Sequence, residues 1–351
     1  MANDKPLVSL CITCYNQARY IREAVQSAFD QTYDPLEIVI CDDCSTDGTA
    51  EIVEKMVDGY KASDGRHRVV FKRNEANLGI LKNYEQCFKL GHGELLVTGA
   101  GDDIQKPNRV ERTVGEWLRD GKRAGMISCA WQIIDESGHV QGSSGPWPKQ
   151  TPLGAATAYV KAIVTVFDDL PQSRIAYEDH IFSARALLLG PELRIHEPLF
   201  SYRYGSGQST IRHFRTHRFR IDRHALDSLE ILNADMIVAK NRLPSAYYGD
   251  VESMINWRRG RFLPEYKLMG GNTMLERWHG FMAMRPEFGW DLSWHTKLFY
   301  YAPNVLPFHI GDWVTASYEN YCRVKGRLAR IGWLRRLLGK KPLEDLKGQL
   351  T

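Results

Sequence analysis

Three pairs of adjacent acidic residues stand where catalysis could be built: Asp42-Asp43, Asp102-Asp103 and Glu178-Asp179. Neighbouring carboxylates repel each other unless a cation or a hydrogen-bond donor holds them. A divalent ion carrying a diphosphate is one such partner. Hard cations take carboxylate oxygen and often keep only one or two protein ligands, with phosphate and water completing the shell. Each pair also has a plainer explanation. Asp42-Asp43 runs on through Cys44-Ser45-Thr46-Asp47-Gly48 and could serve only as a turn and helix cap. Asp102-Asp103 could cap the helix that follows Pro107, and Glu178-Asp179 could complement a helix dipole. A fourth pair, Asp168-Asp169 before Pro171, reads as loop.

The elements that position these groups alternate along the first half. Strands are expected at Leu7–Thr13, Leu36–Cys41, Val69–Phe71, Leu95–Gly99 and Met126–Ile134. Helices are expected at Tyr20–Phe29, Thr49–Tyr60, Leu81–Leu90 and Asn108–Arg119, and further on at Gly154–Phe167 and Asp179–Leu189. Gly138–Pro152, rich in Gly, Ser, Pro and Gln, reads as a mobile loop. Such alternation implies a mixed, mainly parallel sheet covered on both faces, an α/β fold of Rossmann-like type. Ligands of these sheets bind beyond the carboxyl ends of the strands. The loops Thr13–Asn16, Asp42–Gly48 and Gly99–Asp103 must therefore converge on one edge, with Tyr177–His180 just before a helix. Beyond about residue 210 the strand signal fades and a mostly helical extension is expected. That gives regions 1–210 and 211–351.

In this order and spacing the motifs resemble glycosyltransferase family 2, with its GT-A fold. The matching text is Val8–Asn16, Tyr20–Ala28, Gln31–Tyr33, Glu37–Thr49, Asn77-Leu78-Gly79 with Asn83, Gly93-Glu94, and Asp102-Asp103 with Pro107. It ends with Glu178-Asp179, Arg185-Ala186, Leu189-Gly190, Glu197-Pro198-Leu199 and Tyr202-Arg203. The resemblance implies an inverting, metal-dependent transferase with a nucleotide-diphosphate-sugar donor, a UDP-sugar first and a dTDP-sugar second. It implies that Thr13, Tyr15 and Asp43 hold the nucleobase end, with Asn77 and Asn83 bordering the nucleotide. Asp102, with Asp103 beside it, would bind Mn²⁺ or Mg²⁺ against the diphosphate, and Asp179 would be the general base. Two positions depart from the family pattern: Ala100 stands where an aspartate often contacts ribose, and Thr13 replaces a usual proline. The acceptor implied is a hydroxyl of a saccharide or lipid-linked saccharide, in cell-surface polysaccharide or lipopolysaccharide synthesis. A binding protein without catalysis and a nucleotidyltransferase are the rival readings. The latter normally has a Gly-rich phosphate loop, and none follows the first strand.

Composition sets wide bounds. The 351 residues are 43% hydrophobic and 25% charged, with net charge +4, values of a globular protein that do not call for a nucleic-acid partner. No secretory signal or spanning apolar stretch is visible, so a cytoplasmic protein with reduced thiols is expected. Cys11-x-x-Cys14 and Cys41-x-x-Cys44 look like zinc pairs, but each begins inside an apolar strand, which favours buried thiols. The basic run Arg323 to Lys341, with Val324, Leu328, Ile331, Leu334 and Leu338 at helical spacing, reads either as a packed surface helix or as a helix lying on an anionic membrane face. His196, His213 and His217 read as surface or acceptor contacts, Trp147 as an acceptor contact, and a homo-oligomer is possible.

Overall fold

The computed structural model describes residues 5–146, 153–171, 178–204, 214–244 and 248–270, with isolated positions 275, 278, 279 and 282; for 214–226 and 261–270 it describes the backbone alone. The chain divides into two compact units, Met1–Trp257 and Arg258–Thr351. All the candidate site residues named above belong to the first.

That unit begins with four strands, β1 (Val8–Cys14), β2 (Leu36–Asp42), β3 (Arg68–Arg73) and β4 (Leu95–Ala100), linked by helices α1 (Ile21–Phe29), α2 (Thr49–Ala62) and α3 (Ile80–Leu90). The strands pair in parallel in the order β3-β2-β1-β4. Every residue of β1 and β2 is buried, because helices cover both faces. Val8, Leu10, Ile12 and Cys14 enter one core and Cys11 the other, as the two-residue period of a strand requires. On α1, Ile21, Ala24, Val25 and Ala28 form the buried stripe, three and four residues apart.

The second half is β5 (Ile104–Gln105), α4 (Arg109–Arg119), β6 (Met126–Ile134), β7 (Val140–Ser144), β8 (Thr157–Val160), α5 (Glu178–Leu189) and β9 (Glu192–Arg203). The sheet continues β4-β8-β6-β9-β5, with β7 as a hairpin partner of β6. Among the described residues four pairings are parallel and four antiparallel, a mixed sheet as expected; the first half is wholly parallel, and β6–β9 is the fourth parallel pair. Two long helices follow, α6 (Phe214–Arg242) and α7 (Tyr248–Gly270). Leu232, Met236 and Ala239 of α6 and Val251 and Ile255 of α7 join Phe88 and Phe182 in the second core.

Three expectations are corrected. Gly154–Phe167 is not a helix: two 3₁₀ turns, Gly154–Ala156 and Lys161–Val164, flank strand β8. Strand β8 fills the open edge between β4 and β6, and pairing there outweighs the helix propensity of its alanines. Within Gly138–Pro152, Val140–Ser144 is an exposed strand, while 147–152, including Trp147, lies outside the described residues. Strand β9 was concealed by Glu192, Arg194, His196, Glu197 and Pro198. Opposite Pro198 the register with β6 slips, which accommodates the missing backbone donor.

Among the described residues no helix is long and apolar enough to cross a membrane. The basic run Arg323 to Lys341, His213 and the side chain of His217 lie outside the described residues.

Candidate active site

The carboxyl ends of β1 and β2 are laced together by their own loops. Asn16 adopts a left-handed backbone, with φ 50°. Its N–H donates to Ser45 Oγ at 2.9 Å, and its side-chain oxygen accepts from the Thr46 N–H at 2.9 Å. Gln17 N–H donates to Thr49 Oγ1 at 2.8 Å and Ala18 N–H to Asp47 Oδ2 at 3.0 Å. Asp42 closes its own turn by accepting the Ser45 N–H at 2.9 Å and the Ser45 hydroxyl. Burial alone would raise the Asp47 carboxyl, but bonds from Thr49 and Ala18 outweigh it and hold the pKa down. For Asp42 and Asp47 the turn-and-cap explanation accounts for the partners.

Asp43 differs. It is 3% exposed, and its carboxylate accepts from Asn74 Nδ2 at 3.0 Å and from the N–H groups of Leu78 and Gly79 at 2.8 and 2.9 Å. Asn77 Nδ2 donates to the Asp43 carbonyl at 3.3 Å. Asn83 is buried, donating to the Cys41 carbonyl at 3.2 Å and accepting from Asn74 at 3.0 Å. Asp43 and Asn83 thus brace the segment leading into α3, with exposed Asn77 on its outer side. Thr13 is buried and Tyr15 half-buried at the end of β1.

The third loop joins this edge directly, since Gly101 N–H donates to the Thr13 carbonyl at 3.0 Å. A side chain at 101 would stand 2.5 Å from Gln17 Oε1 and 2.7 Å from Cys14 Cβ, so the Ala100-Gly101-Asp102-Asp103 turn needs glycine there. Asp102 is 6% exposed and Asp103 1%. Asp103 turns inward: its carboxylate accepts the Arg203 N–H at 2.9 Å. Burial, and then the charge of Asp102, push its pKa well up, against the opposing pull of Arg203 and Arg109. Hard oxygen donors of this kind suit Mn²⁺ or Mg²⁺. Among the described residues no three His, Cys, Asp or Glu side chains form a metal cluster. Fit to an ion therefore rests on Asp102 and Asp103 together with phosphate oxygens.

Asp179 arrives from the far side of the sheet. Strand β8 runs antiparallel to β4, with Val97 opposite Ala158, so the turn Gly154–Ala156 before β8 sits at the carboxyl end of β4. Thr98 Oγ1 donates to the Gly154 carbonyl at 2.5 Å, and Arg109 Nη2 to the Ala155 carbonyl at 2.8 Å. Gly154 lies directly against the acidic pair: a Cβ there would be 3.1 Å from Asp179 Cβ and 3.3 Å from Glu178 Oε1. Asp179 is partly exposed and accepts the His180 N–H at 2.8 Å. Burial, and then the charge of Asp179, raise the Glu178 carboxyl well above its usual range. The phenol of Tyr84, donating to the Gly99 carbonyl at 3.2 Å, is raised by burial and by the charges of Glu178 and Asp103.

Residues 9–161 match the model of glycosyl transferase family 2. Through this region the chain is similar to glycosyltransferase family 2. Putative glycosyltransferase EpsE of Bacillus subtilis is 30% identical over 46% of this chain and 58% of its own length. Hyaluronan synthase of Pasteurella multocida is 30% identical over 45% of this chain and 15% of its own. The chain thus spans little more than half of the first relative and a small part of the second. Among solved structures, Staphylococcus aureus TarS with UDP-GlcNAc superposes with TM-score 0.55 at 18% identity, covering 79% of each chain. The mannosyltransferase PcManGT of Pyrobaculum calidifontis, with GDP-Man and Mn²⁺, gives 0.53 at 15% identity, over 90% of this chain and 87% of its own. These likenesses establish the GT-A fold.

Three residues of this domain carry structure that the motifs did not signal. Arg203 appeared in the matching text without a role, yet it holds the Asp102-Asp103 turn. Arg109 lies four and eight residues before Thr113 and Trp117, on the buried stripe of α4, which was the available signal. Gly154 was hidden by its reading as the start of a helix. The two C-x-x-C pairs resolve differently. Three residues along a strand is an odd offset, so Cys11 and Cys14 enter opposite cores and cannot share one ion. Asp168 and Asp169 form exposed pairs with Arg242 and Lys89.

Proposed function

We propose that the chain is an inverting, divalent-metal-dependent glycosyltransferase using a nucleotide-diphosphate-sugar donor, a UDP-sugar before a dTDP-sugar. Its acceptor is a hydroxyl of a saccharide or lipid-linked saccharide, in the synthesis of a cell-surface polysaccharide or lipopolysaccharide. The observation that carries this reading is Gly154 against Asp179 at the carboxyl end of β4, where the Asp102-Asp103 turn begins. Support for the donor class comes from the UDP-GlcNAc and GDP-Man held by the two structural neighbours.

In this reading Thr13, Tyr15 and Asp43 border the nucleobase, with Asn77 on the outer side and Asn83 bracing Asn74 beneath. Asp102, backed by Asp103, faces the diphosphate. Asp102 and Asp103 would hold a Mn²⁺ or Mg²⁺ ion, which would offset the charge that grows on the departing nucleoside diphosphate. Asp179 takes the proton of the acceptor hydroxyl as that oxygen attacks the anomeric carbon. The bond from that carbon to the diphosphate breaks, its electron pair leaves with the phosphate, and the anomeric centre inverts.

The test is Asp179→Asn. Turnover should fall by about 10²–10⁴-fold, the usual contribution of a general base. Mn²⁺-dependent thermal stabilisation by the donor nucleotide should persist. Unchanged turnover would remove Asp179 from the chemistry.

A further inference from the structure

We propose that Arg203 is a positioning residue: it clamps the Asp102-Asp103 turn in the geometry that binds the metal–nucleotide complex. The proposal rests on the glycosyltransferase reading and assigns work inside that site. Arg203 ends β9, and its side chain is wholly buried. Its backbone N–H donates to Asp103 Oδ1 at 2.9 Å and its Nε–H to the Asp102 carbonyl at 3.0 Å. Nη1 donates to the carbonyls of Asp135 and Glu136, both at 3.0 Å, in the turn between β6 and β7. Nη2 donates to Glu23 Oε2 on α1 at 2.8 Å, and the guanidinium lies over the Tyr20 ring, 4.7 Å from its centre.

One planar group therefore fastens the carboxylate turn to a helix and to a hairpin from the other half of the sheet. The turn needs this. It is bounded by β4, in register with β1, and by the two-residue strand β5, which pairs only with Ser201 and Phe200 of β9. Between them Asp102 and Asp103 put two like charges side by side in a buried place, where the arrangement is opposed by their own repulsion. The fork of Arg203, unlike a lysine ammonium, reaches acceptors in three directions at once. Partners of this outer kind are worth about 10–100-fold in metal affinity.

The experiment is a Mn²⁺ titration of the full chain, free ion followed by electron paramagnetic resonance, with UDP and separately with dTDP. Wild type, Arg203→Lys and Glu23→Gln are compared, with nucleotide affinity in EDTA and circular dichroism alongside. Expected is tight Mn²⁺ binding by wild type with at least one nucleotide. Arg203→Lys should weaken it about 10–100-fold, with metal-free nucleotide affinity within about threefold. Glu23→Gln, which loosens the clamp from a half-exposed position and leaves the turn untouched, should weaken Mn²⁺ in the same direction by a few-fold. It carries the test if Arg203→Lys does not fold. Wild-type Mn²⁺ affinity in the folded variants, or an equal loss with and without metal, overturns the clamp. No nucleotide-dependent Mn²⁺ binding by wild type instead overturns the glycosyltransferase reading, and the clamp with it.

Discussion

Adding one methyl group at Gly154 should slow turnover without loosening the donor or the fold. The new Cβ would sit 3.1 Å from Asp179 Cβ, whereas carbon atoms settle at about 3.5–4.0 Å. Something must move by about 0.4–0.9 Å. The turn cannot retreat easily, because Thr98 holds the Gly154 carbonyl and Arg109 the next one. The displacement therefore falls on Asp179 at the start of α5. A misplacement of about 1 Å can cost about 10²-fold, so Gly154→Ala should lose about 5–50-fold in kcat, or about 1–2.3 kcal/mol of barrier. Stability should change little: alanine removes unfolded-state freedom worth about 0.4–1 kcal/mol, φ at 154 lies outside the left-handed region, and the tight contact with Asp179 offsets that gain. The assay is release of nucleoside diphosphate from the donor selected by a Mn²⁺-dependent thermal-shift screen, with nucleotide Kd by calorimetry. Turnover within twofold of wild type, in a folded variant, would refute the placement of Asp179 against this turn. A Kd that weakens as much as kcat falls would refute it too.

Two predictions concern the scaffold. Arg185 on α5 and Asp235 on α6 form a buried two-pronged ion pair at 2.7 and 2.8 Å, so Arg185→Ala should lower stability by about 3–5 kcal/mol in a denaturant titration; a loss under 1 kcal/mol would show that α6 does not depend on the pair. Glu37 is buried at the other end of the sheet. Burial alone would raise its carboxyl, but Ser9 and His92 outweigh it and the pKa falls below the ordinary value. A depressed carboxylate contributes stability above its unfolded pKa, about 4.3, and loses it as pH falls through the folded value. The melting-temperature gap between wild type and Glu37→Gln should therefore be full at pH 6 and close below about pH 4; a gap constant from pH 7 to 3 would be the contrary result.

The parallel half of the fold was legible because its strands are buried on both faces and its helices carry a clean apolar stripe. Pattern alone placed β1, β2, β4, β6 and α1–α4 to within a residue or two. The rest was hidden for identifiable reasons. Strand β8 is spelled Thr-Ala-Tyr-Val after two alanines, and only the vacant edges of β4 and β6 make it a strand. In β9 charged residues and Pro198 break the alternation that would announce it. At the site, the acidic pairs were visible as pairs but not as individuals. Asp42 and Asp43 are neighbours in sequence, yet one closes a local turn and the other gathers Asn74, Leu78 and Gly79 from the next connection. Asp102 and Asp103 divide similarly, because the backbone N–H of Arg203 comes from a strand a hundred residues later.

That division follows from the topology. A purely parallel sheet offers strand-end loops along one edge, but each must grip a ligand from the same side. Inserting β8 antiparallel beside β4 brings a strand's beginning, and the Gly154 turn, to the edge where its neighbours end. The chain leaves β8 at the opposite edge, yet the first turn of α5 again carries Glu178 and Asp179 against Gly154. Arg109 and Arg203 are buried near that junction: Arg109 reaches the Ala155 carbonyl, while Arg203 joins the Asp102 carbonyl to Glu23 of α1. Buried guanidinium groups are costly unless their nitrogens find acceptors; all three of Arg203 do, whereas Arg109 Nε has none among the described residues. Retaining two of them where the halves meet makes sense if the carboxylates they face must be held in fixed places.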